Sequence, residues 1–96
     1  MLNNSAKRKV TVLNPAGLHA RPSLAVVQTV RRSKSKVEVR TPRQSVDASE
    51  ILQLLCLGAA QGTELELAAH GPDAEKVLNE LAALFANRFG LCGEPD

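Results

Sequence analysis

Gly17-Leu18-His19-Ala20-Arg21-Pro22-Ser23 lies where one periodicity of the chain gives way to another. Before it, Lys9 to Leu13 alternates, with Val10 and Val12 on one side and Lys9 and Thr11 on the other, the pattern of a half-buried strand. Asn14-Pro15-Ala16-Gly17 then breaks the strand. After it, Val26, Val27 and Val30, preceded by Ser23 or Leu24, recur at three- and four-residue spacing and predict a helix from about Ala20 to Arg31. Pro22 fits its first turn, where a missing N–H costs nothing. The spacing therefore puts the imidazole of His19 at a helix start, with a guanidinium two residues on. The first amides of a helix lack carbonyl partners and carry the positive end of the peptide dipoles, so such a place suits an anion.

Downstream, Ser33-Lys34-Ser35 is a linker, and Lys36 to Thr41 alternates again with Val37 and Val39 inward. Pro42-Arg43 makes a turn and Gln44 to Asp47 returns as a short edge-like strand. Ala48-Ser49-Glu50 opens an apolar segment, Ile51, Leu52, Leu54, Leu55, Cys56 and Leu57, too crowded for one buried stripe on a short helix. Either all of these are core or some form an exposed contact patch, and periodicity does not separate the two. Gly58 and Gly62 punctuate the exit. Thr63 to Ala69 is the clearest strand, with Leu65, Leu67 and Ala69 on one face and Glu64 and Glu66 on the other. His70-Gly71-Pro72-Asp73 reads as a turn, with His70 a surface histidine, and opens a helix that runs to about Arg88 and stops at Gly90. Ala74, Val77, Leu78, Leu81, Leu84 and Phe85 make its apolar face. The order β-α-β-β-α-β-α is that of an α+β domain, with helices over one face of a small antiparallel sheet. The expected bounds are a flexible N-terminus over 1–6, the domain over 7–90 and a tail over 91–96.

Composition narrows the function classes. One domain is the natural expectation for 96 residues, and its core must be aliphatic because Phe85 and Phe89 are the only aromatic side chains. The net charge of +2 is dispersed, which argues against a nucleic-acid binder. Lys7-Arg8-Lys9 and the group Arg31, Arg32, Lys34 and Lys36 read as solvated surface. Cys56 lies in an apolar run and reads as a small buried hydrophobe, whereas Cys92 reads as a free thiol in the tail. No CxxC or Cys/His cluster suggests a metal. There is no apolar signal core and no run long enough to cross a membrane, so a soluble, cytoplasmic protein is expected.

Neutral imidazole is a nucleophile near neutral pH. Phosphoryl transfer to it needs positioning and charge stabilisation more than covalent help. The amides of Ala20 and Arg21 can supply hydrogen bonds, the Arg21 guanidinium a charge-assisted one, and Gly17 a close approach of backbone to phosphate. Ser23 either adds a hydroxyl at the same end or is a surface residue. With no glycine-rich nucleotide loop and no acidic pair for Mg²⁺, the group would come from another protein and not from ATP, and no cofactor is expected. On residue types alone, however, a lone histidine before a helix is more often a cap or a surface residue.

The whole string shifts that balance. Asn14 to Ser23, with Leu-His-Ala-Arg-Pro after glycine, resembles the active-site signature of the histidine-containing phosphocarriers, the HPr family of the bacterial phosphoenolpyruvate-dependent sugar phosphotransferase system. The resemblance runs over about residues 7–90, through the strand and helix order, Leu57-Gly58-Ala59-Ala60-Gln61-Gly62 and the final helix after Gly71-Pro72. It implies an open-faced β-sandwich, a four-stranded antiparallel sheet with three helices on one face. It implies a phosphoryl group received on Nδ1 of His19 from phospho-enzyme I and passed to an EIIA domain. Arg21 matches the family's phosphate-contacting arginine, Pro22 the proline after it, and Leu52 and Leu55 its exposed docking residues. A monomer is the default. In one departure, Glu50 stands where many members carry a regulatory serine, and Ser49 is one residue early, turned by about 100° on a helix. The serine site is therefore not carried over; Glu50 is either an ordinary helix-start acid or a fixed charge that imitates the phosphorylated state and lowers affinity for enzyme I. Two other readings remain: a regulatory carrier that senses nitrogen or carbon state, and an interaction module in which His19 is only a cap.

Overall fold

Alternating apolar side chains build four strands: β1 (Ser5–Thr11), β2 (Lys36–Arg40), β3 (Ser45–Asp47) and β4 (Glu64–His70). The structure, a computed structural model, describes residues 4–91. The strands form one sheet in the order β1-β4-β2-β3, with every neighbouring pair antiparallel. The register sets Val10 against Leu65, Leu67 against Val39, and Val39 against Val46, so one face of the sheet is continuously aliphatic. Three helices lie on it: α1 (Ala20–Arg32), α2 (Ile51–Leu57) and α3 (Ala74–Ala86), followed by a 3₁₀ turn, Arg88–Gly90. The architecture is the α+β open-faced sandwich expected above.

The core sits between these layers. Val26, Val27 and Val30 of α1, and Val77, Leu78, Leu81 and Phe85 of α3, pack on Val12, Leu65, Leu67, Val37 and Val39. Burying an aliphatic side chain stabilises by about 1.5–3 kcal/mol, so the aliphatic stripe carries most of the core, with Phe85 its one fully buried aromatic among the described residues. On α1 the buried stripe takes Ser23 and leaves Leu24 exposed. The opposite face of the sheet is charged, and Arg40 lies between Glu38 at 2.8 Å and Glu66 at 3.5 Å.

Several expectations need correction. β1 starts at Ser5 and ends at Thr11, because β4 runs on to His70 and supplies partners for Ser5 and Ala6. The mostly polar side chains of residues 5–9 hide this from periodicity, and the expected loose N-terminus loses its last two residues to the sheet. His70 is accordingly a strand residue, exposed, with Nδ1 2.8 Å from the Ser5 hydroxyl. The last helix ends at Ala86 and Arg88 belongs to the turn. Cys56 is exposed and not core. A seven-residue helix has room for one buried stripe, and Leu54 and Leu57 take it. Cys92 and the rest of the expected tail beyond Leu91 lie outside the described residues.

Candidate functional site

The inward alternation of β1 continues to Val12, whose carbonyl accepts from Gly62 N–H at 2.7 Å and whose own N–H donates to Thr63 O at 2.9 Å. The chain then turns. Gly17 N–H donates to Asn14 O at 2.9 Å, and Gly17 takes a φ of +77° that L side chains rarely adopt. A Cβ there would stand 2.5 Å from the Ala59 carbonyl oxygen, while Leu18 N–H donates to that oxygen at 2.8 Å. The close approach that Gly17 permits is therefore to the Ala59–Ala60 backbone. Its amide donates within the loop. Ser23 is likewise buried, and its hydroxyl donates to the Leu18 carbonyl at 3.0 Å, so it is a brace under the loop and not a phosphate ligand.

Clamped on both sides, the loop delivers His19 as the N-cap of α1, with extended backbone (φ −85°, ψ −162°) and no capping hydrogen bond from the ring to the helix amides. The helical ladder begins with Ser23 N–H donating to His19 O at 3.0 Å. Pro22 has no N–H, which leaves the amides of Ala20 and Arg21 ahead of the ladder, at the positive end of a thirteen-residue helix. His19 is half-buried, and Ala20 and Arg21 are exposed. The structure thus places His19, Ala20 and Arg21 together at one open helix end.

Beside them lies an open depression of about 280 Å³, lined by Ala16, Leu18, His19, Leu55, Ala59 and Ala60. α2 forms its other bank. Leu52, Leu55 and Cys56, three and four residues apart, share the outward face of α2; Leu52 is 72% exposed and Leu55 38%. Gly58, in the left-handed region at φ +64°, closes α2 by donating to Leu55 O. The apolar segment is thus divided between core and surface.

At the other end of α2, Glu50 is the N-cap but makes no capping bond; it pairs at 3.9 Å with Arg31, whose Nε also donates to Ser49 O at 2.9 Å. The Ser49 N–H and hydroxyl both donate to Asp47 Oδ1, at 2.9 and 2.7 Å. These bonds, the backbone one first, hold the Asp47 carboxyl below its ordinary value. Among the described residues no three His, Cys, Asp or Glu side chains converge in a way that could hold a metal.

One feature was invisible in the sequence. Asn14, fully buried, donates its side-chain N–H to the carbonyl of Arg88, seventy-four residues away, at 3.0 Å. Within Asn14-Pro15-Ala16-Gly17 its residue type signals a turn, and neither that nor its place at the head of the signature points to residue 88.

Known proteins resemble this chain over most of its length. A family profile described as "PTS HPr component phosphorylation site" matches residues 6–87. The phosphocarrier protein HPr of Treponema pallidum is 39% identical over 82 residues, covering 85% of this chain and 93% of that protein. A multiphosphoryl transfer protein of Haemophilus influenzae is 36% identical over 83 residues, covering 83% of this chain and 17% of the longer protein. Among solved structures, HPr from Thermoanaerobacter tengcongensis superposes with a TM-score of 0.86 at 32% identity, covering 90% of this chain and 97% of that one.

Proposed function

The chain belongs to the HPr family of phosphocarriers of the phosphotransferase system, and from that premise we propose that His19 takes a phosphoryl group from phospho-enzyme I and gives it to an EIIA domain. The Nδ1 lone pair forms the new P–N bond as the bond between phosphorus and enzyme I breaks. The Ala20 and Arg21 amides and the Arg21 guanidinium receive charge on the phosphoryl oxygens. In the second step the P–N bond breaks and the group passes to the acceptor. A loose transition state of this kind asks mainly for alignment and positive charge. The Ala20 and Arg21 amides ahead of the helical ladder support this reading.

Leu52 and Leu55 form the docking face for both partners, since the depression that reaches Leu55 is the one that reaches His19. Fusion of a similar segment into the Haemophilus multiphosphoryl transfer protein is consistent with such a place in a relay. The carrier acts as a monomer in the cytoplasm, and no helix among the described residues is long and apolar enough to cross a membrane.

The observation that carries this reading is the placement of His19 at the N-cap of α1, with two amides ahead of the helical ladder. Incubation with phosphoenolpyruvate and enzyme I tests it. The wild type should take up an acid-labile label, and His19→Ala should abolish it. A wild type that stays unlabelled would favour the interaction-module reading.

A further inference from the structure

The far end of the chain is folded back onto the loop that carries His19. After α3, Arg88 and Phe89 take φ of +51° and +57°, and Gly90 takes +72°. Two consecutive non-glycine residues in the left-handed region persist only where surrounding contacts fix them. Two contacts do so here. Phe89 stacks edge-on against the buried Phe85 with ring centroids 4.8 Å apart, and the Arg88 carbonyl accepts from the Asn14 carboxamide at 3.0 Å. The turn also lies against α1, the helix His19 caps.

Asn14 is tied into the loop by its backbone as well, since its carbonyl accepts from Gly17 N–H. From Gly17 the path to the histidine is short. Leu18 is held by Ala59 O through its N–H and by the Ser23 hydroxyl through its carbonyl, and His19 follows. A shift of the Asn14 side chain therefore moves the base of the segment whose tip is the ring.

We propose that Asn14 is a positioning residue for phosphoryl transfer at His19, tying the histidine loop to the Arg88–Gly90 turn. The inference rests on the carrier reading above and adds that the C-terminal turn belongs to the machinery that aims the ring. Misplacing a reacting group by about 1 Å costs up to about a hundredfold in rate. Asn14→Ala should therefore slow single-turnover transfer from phospho-enzyme I by about ten- to a hundredfold, with the KM for enzyme I within about twofold, because the α2 face is untouched. Amide exchange should quicken at Gly17 and Leu18 while Val26 and Val27 of α1 stay protected. Phe89→Ala loosens the turn from its other side without touching the loop, and should show the same local pattern; it decides the matter where Asn14→Ala does not fold. A wild type that takes no label overturns both readings. A labelled wild type with equally fast transfer in the folded variants, or exchange that rises evenly through α1, overturns this inference alone.

Discussion

Gly17 and Ser23 hold the histidine loop from opposite sides, and each does so by a means its neighbours cannot supply. At Gly17 a Cβ would meet the Ala59 carbonyl oxygen at 2.5 Å in a backbone conformation unfavourable to L side chains. Gly17→Ala should destabilise the domain by at least about 1–2 kcal/mol, read as a lowered denaturant midpoint. Ser23→Ala leaves the Leu18 carbonyl without the donor it has at 3.0 Å. An unsatisfied buried acceptor costs about 1–3 kcal/mol, which thermal unfolding will show as a lower Tm. The types of these residues are legible in the sequence, but their partners are not. Gly17 reads equally as a phosphate-approach glycine, and Ser23 as a surface hydroxyl. Ala59, against which Gly17 packs, is met only when the loops fold together.

α2 divides its apolar residues by a rule of geometry: Leu54 and Leu57 face the sheet, and Leu52, Leu55 and Cys56 face out. Leu52→Ser should leave stability within about 0.5 kcal/mol of wild type, as surface substitutions do. The same change should raise the KM for enzyme I while leaving the rate constant at saturation unchanged, in steady-state phosphorylation of the carrier. An unchanged KM would remove α2 from the docking face. The Arg31–Glu50 pair at the start of α2 is exposed, at 62% and 54%, and is worth at most about 1 kcal/mol. It is a modest tether between α1 and α2 and not a determinant of the fold.

At the scale of the whole molecule, the carboxylate of Asp73 joins elements that the chain order keeps apart, while that of Asp47 closes a local turn between consecutive elements. Asp73, at the start of α3, accepts from the Lys34 N–H and the Ser35 hydroxyl before β2; Asp47, at the end of β3, accepts from Ser49 before α2. The Ser35 hydroxyl first and the Lys34 amide second hold Asp73 below its ordinary value of 3.8, and the Ser49 bonds do the same for Asp47. A carboxyl whose folded pKa is depressed contributes stability that is present above its unfolded value and lost as pH falls through the folded one. The denaturant midpoint should therefore drop as pH falls below the ordinary carboxylate value. Asp73→Asn should lower the midpoint at neutral pH and flatten that acid limb.

Periodicity by itself determined the order of strands and helices, the aliphatic face of each except α2, and the meeting of a strand and a helix at His19. These depend on residue types a few positions apart, and local stereochemistry suffices to read them. The same string of residues around His19 carried the family. Tertiary structure decided the rest, because it depends on pairs distant in the chain. The true start of β1 was set by the length of β4, and the tight packing at Gly17 by the Ala59 carbonyl. The exposure of Cys56 followed from the single stripe available on α2, and the role of Asn14 from a carbonyl at the other end of the protein. A hydrogen bond between residues 14 and 88 leaves no trace in the residues beside either.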